Sequence, residues 1–240
     1  LTRTRVRNIP EFREVVYDEK HWSILRDLRS IARRVMEVFN RHGFTVWLHG
    51  STARGDVWEK SDVDVVIPLK TPGLIVEHIL EESGFKPFSR YIIAATPTST
   101  PKGIIYLDDE ERVSVSFPLF NYKPREVEFY KYSGVLTYSQ LLADERVPGV
   151  NKNLVLIIPT ESGHLEAPVP GYEDYVAKVL GVSVDIVRER VEVLTRRDQV
   201  GRTGIFAKIA LAPGESFEEA IERLLREKPL IRRTINNDAD

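Results

Sequence analysis

Cysteine is absent from the chain. That excludes disulfides, thiolate nucleophiles and Cys-ligated zinc, so any metal would be held by oxygen ligands. Methionine occurs once, and Asn and Gln are sparse beside dense Arg and Glu. This bias is known from heat-adapted proteins, and thermostability is the resulting expectation. No apolar run approaches the length of a membrane span, and the opening residues lack the charged, apolar and small-residue pattern of a signal peptide. A soluble cytoplasmic protein with no membrane partner is expected. Neither charge sign prevails: Lys plus Arg number 34 against 36 for Asp plus Glu, a net charge of −2. Binding to nucleic acid would therefore need a local patch rather than a global field. The remaining composition is ordinary, with 240 residues, 42% of them hydrophobic, enough for one large domain or two ordinary ones. Two are preferred.

The most specific local feature is His49-Gly50-Ser51-Thr52-Ala53-Arg54-Gly55, followed after a short polar loop by Ser61-Asp62-Val63-Asp64-Val65-Val66-Ile67. Side chains alternate along a strand, so Asp62 and Asp64 project from one face and both can reach one metal ion. Acidic residues are disfavoured within an apolar β-branched run and need a reason to be there. A pair of solvated acids on an exposed edge is the plainer alternative. Mg²⁺ is usually held by one or two carboxylates together with substrate phosphates, so this pair implies a phosphate-bearing ligand. Gly50 lets a backbone turn approach phosphate, Ser51 offers a hydroxyl and an N–H, and Arg54 offers a charge-assisted contact. An ordinary β-turn into a helix competes with that reading.

These residues resemble the signature of the nucleotidyltransferase superfamily of DNA polymerase beta type, and within it the minimal nucleotidyltransferases. In that pattern an apolar strand leads into Gly-Ser-x-Ala-Arg-Gly, and the next strand begins Ser-Asp-x-Asp, as Gly50 to Gly55 and Ser61 to Asp64 do. The resemblance implies Mg²⁺ or Mn²⁺ at Asp62 and Asp64, an NTP substrate at Gly50, Ser51 and Arg54, and transfer of an NMP to a hydroxyl of RNA, protein or a small molecule. It also implies a third carboxylate on a later strand. The strand where it is expected reads Val113-Ser114-Val115-Ser116, with serines in place of an acid. Glu111, Glu126 and Glu128 are the available substitutes. The alternative function is a catalytically degenerate nucleotide-binding regulator with a nucleic-acid-binding winged helix.

The fold class expected is α/β (α+β), a mixed sheet with flanking helices. Apolar residues at helical spacing predict a long amphipathic helix over Asp18 to His42, stopped by Gly43. Phe44 to Leu48 and Asp62 to Leu69 read as strands around the Gly-Ser turn. A helix over Pro72 to Ser83 follows, then strands at Arg90 to Ala95, Gly103 to Leu107 and Arg112 to Phe117. Pro124 to Tyr132 begins a helix, Leu141 to Gly149 is loop-like, and Leu154 to Pro159 with His164 to Val169 forms a hairpin. Pro168-Val169-Pro170-Gly171 reads as a linker.

After Gly171, Ala177 and Leu180-Gly181-Val182-Ser183 resemble a helix-turn-helix, with Gly181 at the turn and Ser183 as an N-cap. Gly201 to Ala207 then reads as a wing, and Phe217 to Leu225 as a closing helix. The expected division is a nucleotidyltransferase-like domain over 1–135, a β-containing connection over 136–170 and a winged helix-turn-helix-like domain over 171–240. Nucleic acid is a possible partner of the last domain, although its second helix mixes Arg188, Arg190, Arg196 and Arg197 with Asp185, Glu189 and Glu192. Arg3, Arg5 and Arg7 form a separate basic segment. His49 is expected as a core or rim histidine, and His164 as solvent-facing.

Overall fold

The computed structural model describes residues 9–201 and 204–237; Arg3, Arg5, Arg7, Arg202 and Thr203 lie outside them. The chain opens with β1 (Arg13–Val16) and α1 (Glu19–Arg41). The Asp18 side chain accepts a hydrogen bond from the His21 N–H, capping α1, and Leu25, Leu28, Ala32, Val35, Met36 and Phe39 form its buried stripe. There follow β2 (Trp47–His49), the single turn α2 (Ser51–Arg54), β3 (Val63–Val66), α3 (Gly73–Glu82), β4 (Ser89–Ala94), β5 (Lys102–Tyr106) and β6 (Val113–Pro118). Next come α4 (Pro124–Ser133), β7 (Val135–Thr137), α5 (Tyr138–Leu142), β8 (Gly149–Val150), β9 (Val155–Thr160) and β10 (Gly163–Pro168). The chain closes with α6 (Glu173–Leu180), α7 (Val184–Val200), β11 (Ala207–Ala210), α8 (Phe217–Glu227) and α9 (Pro229–Asn237). None of the described helices is long and apolar enough to cross a membrane.

The strands form two sheets among the described residues. The larger has the order β11-β4-β5-β6-β3-β2-β7; β3 and β6 run parallel and its other neighbouring strands antiparallel. Period-2 alternation gives this sheet two unlike faces. Leu48, Val63, Val65, Val115, Phe117, Ile105 and Ile92 enter one core with the buried stripe of α1 and with residues of α3 and α8. His49, Asp64, Ser114 and Tyr106 lie in one transverse row on the other face, as their pairings show. The smaller sheet, β1-β10-β9-β8, shares a second core with α4, α6 and α7 through Tyr132, Leu156, Val169, Val176 and Ile186. The segment expected as a linker is thus anchored, with Val169 fully buried and its N–H bonded to the Leu154 carbonyl.

The helix pair expected after Gly171 is present. Gly181 takes the left-handed conformation that ends α6, and Ser183 caps α7. Among the described residues, the segment expected as a wing does not form a strand pair beside these helices. β11 pairs antiparallel with β4, Ala207 opposite Ala94, so it is an edge strand of the large sheet. The reason lies in α8, whose apolar stripe Phe217, Ala220 and Leu224 is buried in the main core. The Phe217 ring meets Phe117 edge-on at 5.0 Å between centroids and fills the space that side chains at Gly73 and Gly103 would occupy. A short apolar strand after a glycine-containing turn looks the same locally whichever edge it joins.

Phe217→Ala should therefore destabilise the large-sheet unit by about 3–5 kcal/mol, the usual cost of emptying a core aromatic site. Urea unfolding followed by circular dichroism would measure it. An effect below 1 kcal/mol would show that α8 is not integral to that core.

Candidate active site

The strand β2 delivers His49 to the turn at Gly50, whose φ of 82° and ψ of −145° suit glycine. The Gly50 N–H donates to the Gly134 carbonyl at 3.0 Å, and no atom lies within 4 Å of where a Cβ would stand. The space in front of this turn is open. The Thr52 hydroxyl donates to the Asp62 carbonyl at 2.8 Å, and the Ser51 hydroxyl lies 3.4 Å from that of Ser61. These contacts fix the turn to the start of β3. The sequence-predicted residues Gly50, Ser51, Asp62 and Asp64 are thereby brought together.

Asp64 sits between His49 of β2 and Ser114 of β6 in register, and one of its carboxylate oxygens accepts a 2.8 Å bond from the Ser114 hydroxyl. Asp62 is exposed at the strand entrance. Partial desolvation first, then the charge of Asp64, hold its carboxyl above the usual range, while Lys152 and Arg112 pull it down. The donor set fits a divalent cation: two carboxylates on one side of a strand, with mutual repulsion that a cation would relieve. A three-acid set is lacking, since no group of three or more His, Cys, Asp or Glu suited to hold a metal occurs among the described residues.

The three substitutes for the missing acid are engaged elsewhere. Glu128 accepts bonds from the backbone and hydroxyl of Ser183 at 2.8 and 2.7 Å, which ties α4 to the start of α7. Glu126 accepts from the Thr100 N–H and hydroxyl and from the Lys123 N–H. Glu111, near the far end of the row, accepts from Ser89 and Tyr91. Ser114 itself stands beside Asp64, where the strand order places the third residue of the site.

Arg54 does not face the open side. Its Nε and Nη2 bind the two oxygens of Asp56 at 2.9 Å each, and Nη1 donates to the Ser133 carbonyl. Arg54 is 4% exposed, so the phosphate role expected for it is replaced by bracing. Asp56, two residues on, captures it, a local partner that the motif does not point to. The back of the loop is held likewise: Arg29 of α1 donates to the Thr52 and Ala53 carbonyls at 3.1 and 3.0 Å, and His21 Nε2 lies 2.7 Å from the Gly55 carbonyl. Gly55, at φ 106°, has no room for a Cβ against the Arg146 side chain.

His49 is at the rim of the site, its ring 5.1 Å from that of Tyr130 and 6.0 Å from that of Phe129. Its buried Nε2 has no hydrogen-bond partner among the described residues. Burial pushes its pKa down to about 4, against the pull of Asp64, so it is neutral at pH 7. His164 departs from expectation. It is buried, with Nδ1 2.7 Å from the Tyr17 hydroxyl, because β10 turns it toward β1 and the Tyr17 that follows.

Positive charge converges on the site from residues that motif spacing did not reveal. Lys152, in the turn before β9, acts on both Asp62 and His49. Lys102 of β5 acts on His49 and Asp64. Tyr106, the last residue of the row, has its pKa pushed up to about 12 by burial and by Glu111, Asp64 and Asp62. Arg125, by contrast, pairs with Glu189.

Residues 28–116 match the family model described as the nucleotidyltransferase domain. The segment runs from the middle of α1 to β6 and contains the turn, both aspartates and Ser114. With the mixed α/β fold, it supports the nucleotidyltransferase superfamily and a transferase activity in general. No curated protein matches the chain.

Arg54→Met should cost about 3–5 kcal/mol, the scale for removing one partner of a buried ion pair. Arg54→Lys should not restore it, since an ammonium cannot reproduce the three-sided fork. Denaturation measures this; a fully stable variant impaired only in nucleotide affinity would return Arg54 to a phosphate-binding role. The depressed His49 pKa has a second consequence. The unfolded chain binds this proton below pH 6.5 and the folded chain only near 4, so stability falls as pH drops through that window. In His49→Gln this part of the pH dependence should flatten in thermal unfolding curves taken between pH 7 and 4.

Proposed function

We propose that the chain is a Mg²⁺-dependent nucleotidyltransferase that moves an NMP unit from an NTP to a hydroxyl acceptor on RNA, protein or a small molecule. The observation that carries this reading is the Thr52–Asp62 bond, which holds the Gly50-Ser51 turn beside Asp62 and Asp64. A turn open to phosphate and a carboxylate pair are thus parts of one rigid unit.

In this reading Asp62 and Asp64 hold the metal, which when bound would neutralise phosphate charge and stabilise the transition state by several kcal/mol. Ser51 contacts the phosphate oxygens with its hydroxyl, and Gly50 permits their close approach. Lys152, whose charge acts on Asp62 and His49, takes the cationic role that Arg54 cannot fill. The acceptor's hydroxyl oxygen bonds to the α-phosphorus, the bond from that phosphorus to the oxygen bridging to the β-phosphate breaks, pyrophosphate leaves with that oxygen, and the hydroxyl proton passes to solvent water at the exposed entrance beside Asp62.

Ser114 favours a second reading. A serine beside Asp64 leaves the site without the acid that would hold a second metal or accept the acceptor's proton, as in a nucleotide-binding regulator that does not turn over. The two readings separate on one experiment, ³²P transfer and pyrophosphate release from each α-labelled NTP with Mg²⁺ or Mn²⁺ and total RNA or cell extract as acceptor. Transfer reduced about 10²–10³-fold or more in Asp62→Ala and Asp64→Ala, the equivalent of a few kcal/mol, is the expected outcome. Saturable NTP binding without transfer to any acceptor would favour the regulator.

A further inference from the structure

The row that carries Asp64 continues past Ser114 into an aromatic cluster that neither core uses. Tyr106 of β5 is the in-register partner of Ser114, and Ser89 of β4 is the partner of Tyr106. Tyr106 therefore lies on the Asp64 face at two strand spacings, about 10 Å, from the carboxylate's strand. Its ring meets that of Tyr91 edge to face at 6.0 Å, and the Lys208 ammonium of β11 stands 4.0 Å from the centre of the Tyr91 ring. Both rings are half-buried and outside the two hydrophobic cores, and Lys208 is exposed. One residue holds the cluster in place. Glu111 accepts from the Tyr91 and Ser89 hydroxyls at 2.9 and 2.8 Å and lies 3.9 Å from the Lys208 ammonium. Its own backbone has φ 55°, a left-handed conformation uncommon outside glycine, so the turn between β5 and β6 accepts strain at the residue that fixes this shelf.

We infer that Tyr106, with Tyr91 and Lys208 beside it, receives the 3′-terminal nucleotide of a single-stranded nucleic acid whose hydroxyl is the acceptor. The inference rests on the proposed transfer chemistry, which sets directions at the α-phosphorus. Attacking and leaving oxygens stand in line on opposite sides of that atom. With the phosphates at the Gly50-Ser51 turn after β2 and the aspartates on β3, pyrophosphate departs on the β2 side. The acceptor then comes from the other side, over β6 and β5, which follow β3 in the sheet. The NTP's own nucleoside leaves the phosphorus in the plane between these directions, so the shelf faces the acceptor. Ser114 carries no charge to repel a strand passing over it. A half-exposed ring offers a stacking surface to any base, and an exposed lysine beside it meets backbone phosphate, which together are the chemistry of single-strand binding. A serine or threonine of a protein acceptor has no ring to stack.

Oligoadenylate about ten nucleotides long, in ribo and deoxyribo forms with a 5′ fluorescein, would be bound to the full chain and followed by anisotropy, with ATP binding measured by calorimetry. Tyr106→Ala should weaken the strand about tenfold, within the range of one base–aromatic stack, and leave ATP affinity unchanged; Tyr106→Trp should restore strand binding. Lys208→Gln should lower the slope of log affinity against log salt by about 0.7, the share of one phosphate contact. Unchanged strand affinity in a Tyr106→Ala variant that melts like the wild type would overturn the inference. So would loss of ATP affinity instead, which would make Tyr106 the seat of the NTP base. Transfer of ³²P only to protein in cell extract, abolished in Asp64→Ala and intact in Tyr106→Ala, would overturn it and leave the transferase reading standing. Strand binding that depends on Tyr106 but yields no transfer to any acceptor would overturn the transferase reading and keep the strand site.

Discussion

The candidate site depends on how the backbone of its loop is satisfied from behind. A one-turn helix packed between α1 and the small sheet carries carbonyls shielded from water, and shielded carbonyls need donors. Arg29 serves Thr52 and Ala53, His21 lies at Gly55, and Arg54 binds the Ser133 carbonyl while its charge is neutralised by Asp56. With those groups fixed, Thr52 is free to bind the entrance of β3, and the Gly50 turn stands at a set position beside Asp64. Arg29 and Arg54 are nearly fully buried; such charges are costly unless paired, and here they hold the loop in one geometry. Preorganisation of this kind lets a site bind phosphate without first ordering its own backbone.

What could be read in the sequence was what neighbouring residues decide. The period of apolar residues gave α1 within a residue at each end, because Asp18 and Gly43 are local signals of start and stop. The strand, turn and strand from Trp47 to Val66 were legible because twenty residues contain the whole unit. Errors arose where a distant partner decides. Arg54 has the same local sequence whether it points to solvent or to Ser133, and the carbonyl it meets is far along the chain. The segment Gly201 to Ala207, expected as a wing, leads instead into β11, whose partner, β4, lies more than a hundred residues earlier. His164 was placed in solvent because the Tyr17 that buries it belongs to the N-terminal segment. Lys102 carried no signal at all, since its meaning depends on β5 and β6 lying next to β3.

The local charge distribution is hidden by the near-neutral total. A net charge of −2 conceals two adjacent carboxylates with Lys152 and Arg112 acting on one of them and Lys102 on the other. An NTP carrying its own metal would bring both signs to a site that already presents both.

That arrangement also bears on the linkage between the two cores. α4 contributes Tyr130 to the site and Glu128 to the start of α7, while Phe129 lies between the His49 ring and the guanidinium of Arg190. The helix pair α6–α7 therefore rests on the helix whose Tyr130 and Phe129 rings meet His49. A displacement of α7 would act first on α4, through the Glu128 cap and the Arg190 stack, and only then on Lys102 and His49. The contacts between the C-terminal helices and His49, the neighbour of Asp64 in register, thus pass through one helix, α4.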